Sequence, residues 1–197
     1  MKRTKILGLI AVLLVAMLGS AVAQSEVKAY LTQTDPLLVQ FQKNVSDFLP
    51  EIKALREKRD LVGLKKAADS YIERWDAVIA DIDKVTPPEE AKLYHTTFRR
   101  LCELQRESNV IMSETLGQRI QVVLAARKMK ADGTGQDEIE KYIKDNTPDR
   151  ATLVAKTSAV KEETQTADAT LKSERKRLVE MIKGEDEDQN QDQDNKE

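Results

Sequence analysis

The sequence predicts an all-α protein, an elongated antiparallel up-and-down helical bundle with a helical-hairpin extension and a disordered acidic tail. Apolar residues recur at spacings of three and four over long stretches, which is the pattern of amphipathic helices. Only 7 glycines and 5 prolines occur in 197 residues, too few for the many turns of a β-sandwich or barrel. Four long helical stretches joined by short links then favour antiparallel packing of neighbouring helices.

Residues 1–23 have the three-part pattern of a cleaved signal peptide. Basic residues precede an apolar run over residues 6–18, and the small residues of 21–23 follow it. This run of about 13 residues is shorter than the ~20 that a membrane-spanning helix needs. We therefore predict cleavage before Gln24, with no transmembrane segment in the mature chain and a periplasmic or secreted location.

The first predicted helix begins at Asp35 and Pro36, an N-cap followed by a proline in the first turn. It spans about 36–58, and Pro50 is expected to bend it because proline removes one backbone hydrogen bond. Residues 24–34 are largely polar and predict a flexible N-terminal segment before the helical bundle.

The second predicted helix starts after the N-cap Asp60 and ends near Val85, ahead of two consecutive prolines. Residues 86–90 combine a threonine cap, prolines and two acids, which is a strong signal for the start of a third helix. That helix is expected to reach about Lys130, where a glycine-containing loop follows.

A short helix is predicted over 136–144, and residues 146–148 mark the start of the last helix. Gly184 is expected to end it, which places the helical bundle at 35–183. Residues 184–197 contain only polar and acidic side chains after the glycine, so they predict a disordered acidic tail.

The predicted helices differ in length, and this predicts an extension of the bundle. At 1.5 Å per residue the third helix is roughly 63 Å long and the second roughly 38 Å. The end of the third helix, the short helix and the first turns of the last helix should therefore project beyond the others. We call this part the extension. Its apolar residues are expected to form a second cluster: Ile120, Val123, Leu124, Ile139, Tyr142, Ile143, Leu153 and Val154.

Charge and composition restrict the function classes. The 32 basic and 34 acidic residues nearly cancel, which argues against nucleic-acid binding. Loss of three basic residues with the signal peptide lowers the net charge from −2 to −5, and the tail alone carries −6. One cysteine and one histidine exclude a disulfide framework, a Cys-rich zinc site and a multi-histidine centre. We expect no catalytic residues, no metal and no cofactor.

Four residues flank the turn between the second and third helices: Trp75, Tyr94, His95 and Phe98. We expect them either to pack in the core or to line a small-molecule pocket. In the second case, His95 and a methionine of a facing helix could hold haem non-covalently. Cys102 is predicted to be a buried apolar residue, with an intermolecular disulfide as the alternative. In the extension, the candidate partner contacts are Ile139, Tyr142 and Ile143.

Residues 86–91, with His95 after them at the start of a long helix, carry the only resemblance to known proteins. This Pro-Pro-Glu-Glu start resembles a helix start of small exported bacterial helical-bundle proteins of unknown function. The resemblance implies an exported bundle and assigns no catalytic residue.

Two functional hypotheses follow from these features. The first is a non-enzymatic periplasmic protein that acts by protein–protein contact, as an adaptor, chaperone-like binder or envelope component. Its partner is an unknown protein or a second copy of the chain. The second is a small-molecule or haem-binding four-helix bundle.

Overall fold

The computed structural model describes the backbone of residues 2–194 and the side chains of residues 22–183. Within these residues the chain is helical and contains no strand. The helices are α1 (Lys2–Glu57), α2 (Leu61–Ile82), α3 (Lys92–Ala131), α4 (Gln136–Asn146) and α5 (Arg150–Asp194), with a short 3₁₀ turn (Glu89–Ala91) before α3. The all-α prediction is confirmed.

The four long helices pack in a ring in the order α1, α2, α3, α5, and α4 packs on α3. Two ion pairs between α2 and α3 define the direction of these neighbours. Asp83, the residue that follows α2, pairs with Arg99, and Asp76, about two turns earlier on α2, pairs with Arg106, later on α3. Helices α2 and α3 therefore run in opposite directions, as neighbouring helices of an up-and-down bundle do.

Helix α5 closes the ring against both α3 and α1. Arg100 on α3 donates from two guanidinium nitrogens to the Glu163 carboxylate, over 2.7 and 2.9 Å. Arg175, near the other end of α5, lies 3.0 Å from Asp35 on α1. The last helix is thus held both to α3 and to the first helix.

The prediction that the first helix begins at Asp35 and Pro36 is wrong, because α1 is continuous from Lys2 to Glu57 and contains Pro36 and Pro50. Residues 24–34, predicted to be flexible, are helical and bury Val27 and Tyr30 in the core. Burial of such side chains offsets the ~3 kcal/mol that a proline costs inside a helix. The side chains of the predicted signal peptide, up to residue 21, lie outside the described residues.

The turn between α1 and α2 is compact and uses Asp60 twice. The Asp60 N–H donates to Leu55 O over 3.0 Å, and the Arg59 N–H donates to Arg56 O over 3.0 Å. These bonds form a Schellman motif, with Arg59 at the position that favours glycine, at φ 54°. The Asp60 carboxylate then accepts from the Gly63 N–H over 2.8 Å, so the predicted N-cap of α2 is confirmed.

The start of α3 differs from its prediction. Thr86 does not cap it: the residue before the 3₁₀ turn is Pro88, and no side chain accepts a hydrogen bond there. The chain passes directly from the 3₁₀ turn into α3, which ends at Ala131, close to the expected end.

Helix α5 also differs from its prediction at both ends. Its cap is Asp149, whose carboxylate accepts from the N–H and the hydroxyl of Thr152 over 2.8 Å. The predicted end at Gly184 is wrong, because α5 continues to Asp194. The backbone of 184–194 is therefore helical where a disordered tail was expected, and 195–197 lie outside the described residues.

The extension has a different packing register from the one predicted. Val122 and Ile139 are buried, whereas Val123 and Leu124 are 39% and 51% exposed. Ile143 and Val154, also expected in the cluster, are 40% and 53% exposed, and the remaining predicted members are partly buried: Ile120, Tyr142 and Leu153. On α3, Val122 is thus the buried residue of the extension, and the predicted Val123 and Leu124 are exposed.

Candidate functional site

The aromatic residues near the α2–α3 turn form the bundle core. Trp75, Tyr94 and Phe98 are each 1% exposed or less. Phe41 of α1 packs against two of them, with ring centroids 5.4 Å from Trp75 and 5.9 Å from Phe98. A small molecule or haem could contact these rings only by displacing core side chains.

His95 lies at the boundary of the bundle and is partly buried. Its Nδ1 is 3.2 Å from the Tyr30 hydroxyl group. Burial lowers the pKa of His95, while Asp83 nearby acts in the opposite direction. Among the described residues, no group of three or more His, Cys, Asp and Glu side chains could hold a metal ion.

Cys102 is a free cysteine with no exposed surface. Burial raises the pKa of its thiol to about 12, so the reactive thiolate is strongly disfavoured. In this conformation the sulfur cannot reach a second chain, and the disulfide alternative would require the bundle to open.

A cavity of about 640 Å³ lies where the end of α1, the start of α2, the middle of α3 and the first turns of α5 meet. We call it the arginine cavity. The residues that line it are Phe48, Arg56, Arg59, Leu61, Leu64, Ser108, Ile111, Met112, Thr115, Leu116, Arg119, Leu153 and Thr157.

The lining of the arginine cavity is apolar inside and cationic at its mouth. Leu64 and Leu116 are buried and belong to a small apolar cluster that is separate from the main core. Arg56, Arg59 and Arg119 are exposed. None of the lining residues is acidic, so the charged side chains of the lining are all positive.

The three arginines of the mouth differ from the five arginines of the bundle that form ion pairs. Those that form ion pairs with acidic side chains are Arg99, Arg100, Arg106, Arg175 and Arg177. Within the part of the chain whose side chains are described, Arg56, Arg59 and Arg119 form no such pair. Their guanidinium groups are available to an external anion.

A second cavity, of about 490 Å³, lies between α3 and α4. We call it the α3–α4 cavity. Of the candidate contacts in the extension, Ile139 and Ile143 line it and Tyr142 does not. Its lining residues are Leu61, Arg119, Val122, Val123, Ala126, Arg127, Lys130, Gln136, Ile139, Ile143 and Thr147.

Sequence reasoning did not identify the arginines of the cavity mouth. Arg56 is in the last turn of α1, Arg59 is in the loop that follows and Arg119 is more than halfway along α3. They come together only through the packing of the helices, and no local motif relates them. The only local signal is the helix end just before the recognised cap Asp60.

Comparison of the chain with protein-family models, with curated proteins and with solved structures found no match. No helix among the described residues is long and apolar enough to cross a membrane.

Proposed function

We propose that this chain is an exported, non-enzymatic binding protein that holds an amphiphilic anion in the arginine cavity. Such a ligand has an apolar body and a carboxylate, sulfate or phosphate group. Three unpaired guanidinium groups at the mouth of an apolar cavity support this proposal most directly: Arg56, Arg59 and Arg119.

The two parts of the lining would contribute to binding in different ways. Apolar surface buried on the floor, around Leu64 and Leu116, stabilises a complex by roughly 25 cal/mol per Å². An anionic group at the mouth would accept charge-assisted hydrogen bonds from guanidinium nitrogens. Because no carboxylate of the lining competes for these donors, the ligand would not have to break an existing ion pair.

The lining favours binding over catalysis. Its hydroxyl groups belong to Ser108, Thr115 and Thr157, and the two threonines donate to carbonyl groups of their own helices. No His, Cys, Asp or Glu side chain lines the cavity, so none of the usual general bases stands beside these hydroxyl groups.

The export part of the proposal rests on the signal peptide predicted for residues 1–23 and on the resemblance at the start of α3. Protein–protein contact at the extension is the second candidate function, with an unknown protein or a second copy as partner. Four exposed large apolar side chains of the extension favour it, since exposed apolar surface is typical of interaction sites: Val123, Leu124, Ile143 and Val154.

A fluorescent amphiphilic anion tests the binding function. Titration of the mature chain from Gln24 with 11-(dansylamino)undecanoate should give saturable binding and a blue-shifted emission. Decanoate should compete better than decanol, because only decanoate carries a charge. Arg119→Gln should weaken binding about tenfold or more, since hydrogen bonds to charged groups contribute ~1.5–3 kcal/mol.

Arg106→Gln is the matched control for this substitution. Arg106 lies on the same helix, pairs with Asp76 and is not part of the cavity lining. Its substitution should leave probe affinity unchanged. Absence of saturable binding, equal competition by decanol, or an equal loss in both variants would contradict the proposed function.

A further inference from the structure

The arginine cavity and the α3–α4 cavity share two lining residues, Leu61 and Arg119. Leu61 is the first residue of α2, and Arg119 is in the second half of α3. The two cavities therefore meet at this pair. A single guanidinium group, that of Arg119, borders two apolar cavities at once.

The charge of the lining has one sign on both sides of this junction. Arg56 and Arg59 line the arginine cavity, and Arg127 and Lys130 line the α3–α4 cavity. Arg127 is eight residues from Arg119, about 12 Å along the helix axis. Neither lining contains an acidic residue, so an anionic group at the junction meets only cations.

Each cavity also has an apolar floor of its own. Leu64 and Leu116 are buried beneath the arginine cavity, and Val122 and Ile139 are buried beneath the α3–α4 cavity. Volumes of about 640 and 490 Å³ are both within the usual size of small-molecule sites. A ligand with one apolar chain would fill one cavity and leave the other apolar floor uncovered.

We infer that the two cavities form one site for a two-chain anionic lipid, bound as a monomer with its phosphate at Arg119 and one acyl chain in each cavity. This inference rests on the proposed function and specifies its ligand class. A phosphate monoester carries up to two negative charges, which suits a junction with cations on both sides. The branch point of the lipid matches the point where the cavities meet.

Three phosphate probes that carry two, one and no eight-carbon chains test the inference: dioctanoyl phosphatidate, octyl phosphate and inorganic phosphate. Native mass spectrometry should detect one dioctanoyl phosphatidate per chain. Calorimetry should give an affinity about tenfold or more above that of octyl phosphate, because the second chain buries further apolar surface. Inorganic phosphate should bind far more weakly than either lipid.

A substitution that fills only one cavity tests the contribution of each acyl chain of the lipid separately. Ala126→Trp places a large side chain in the α3–α4 cavity only. It should abolish the preference for dioctanoyl phosphatidate and leave the affinity for octyl phosphate unchanged. Gln136→Trp, on the exposed rim of the same cavity, should act in the same direction if Ala126→Trp disturbs folding. Ala169→Trp, exposed on α5 and outside both cavities, is the control.

Two results would overturn the two-chain inference alone. In one, each protein molecule binds two octyl phosphates, each as tightly as it binds one dioctanoyl phosphatidate. This result would indicate two independent sites. The other is an unchanged preference for dioctanoyl phosphatidate in both tryptophan variants. Failure of dioctanoyl phosphatidate, octyl phosphate and the dansyl probe together would instead contradict the proposed function itself.

Discussion

The hydroxyl group of Tyr30, on α1, lies 3.2 Å from Nδ1 of His95, on α3, and the two ring centroids are 6.0 Å apart. A neutral imidazole protonated at Nε2 accepts the Tyr30 hydroxyl hydrogen at this distance. Burial favours the neutral form, since it lowers the pKa of His95. Asp83 raises that pKa and Arg99 lowers it, both less strongly than burial does.

The lowered pKa of His95 predicts a loss of stability in acid. The unfolded chain binds the proton more tightly than the folded chain, so the free energy of unfolding increases with pH. The contribution of His95 should be fully present above about pH 6.5 and lost as pH falls through the lower folded value. Urea unfolding at about pH 7.5 and 5 should show this loss in the wild type. His95→Gln should reduce it, and an unchanged pH dependence would contradict the prediction.

Arg59→Gly should stabilise the fold and weaken ligand binding. Arg59 has φ 54°, a conformation that costs a residue with a side chain roughly 1–2 kcal/mol and glycine very little. We expect the free energy of unfolding to rise by about 1 kcal/mol, measured by urea unfolding. Arg59→Ala removes the same guanidinium group but keeps a side chain at the positive φ. It should therefore weaken probe binding without the gain in stability. Equal stability of the two variants would contradict this account.

Cys102 should be unreactive in the folded chain. Because the sulfur is fully buried and its thiol pKa is raised, iodoacetamide should label it in urea and not in buffer. Cys102→Ala should cost about 1–2 kcal/mol through a small void and leave the bundle folded. A dimer band on a non-reducing gel that disappears in this variant would contradict the burial seen here.

The extension should open more easily than the rest of the bundle. Helix α4 packs on α3 and is joined to it through Gly133, at φ 81°. Fewer buried contacts lower the free energy of local opening. Hydrogen exchange should therefore show residues 118–160 less protected than 64–112, and better protected when dioctanoyl phosphatidate is added. Equal protection in both segments would contradict the prediction.

Cleavage of the signal peptide should produce a chain that begins at Gln24. The Gln24 side-chain amide donates to Met181 O on α5 over 3.0 Å, so the new N-terminal residue would lie against the bundle. Mass analysis of exported material checks the cleavage site. Ala23→Phe should block processing, because the residue before the site must be small, whereas Ser25→Ala should not. Retention of residues 1–23 in exported wild-type protein would contradict the prediction.

Local signals in the sequence predicted some helix ends and missed others. Asp60 was predicted to cap α2 because it is a carboxylate directly before a stretch with helical apolar periodicity. The structure confirms this prediction. The start of α1 was missed because the same reasoning interpreted Asp35 as an N-cap and Pro36 as a residue of the first helical turn. Whether a helix continues through a proline depends on burial of distant side chains such as Val27, which is a tertiary effect.

The candidate site could not be predicted for a related reason. Arg56, Arg59 and Arg119 are surface residues with nothing unusual in their sequence neighbourhoods. Only helix packing brings them to one mouth, and only the packing register of α3 determines that Val122, rather than Val123, is covered. Aromatic residues were a visible signal, but Trp75 and its neighbours are large side chains that fill the core.

The bonds between α1 and α5 also determine the order in which the bundle can assemble. Asp35 and Arg175 are 140 positions apart in the chain, and Gln24 and Met181 are 157 apart. Pairing of α1 with α2, and of α2 with α3, needs only short loops, so these contacts can form early during synthesis. The face of the other helices that α5 covers must remain unprotected until the last quarter of the chain has emerged. The protein is therefore most prone to aggregation just before its synthesis is complete.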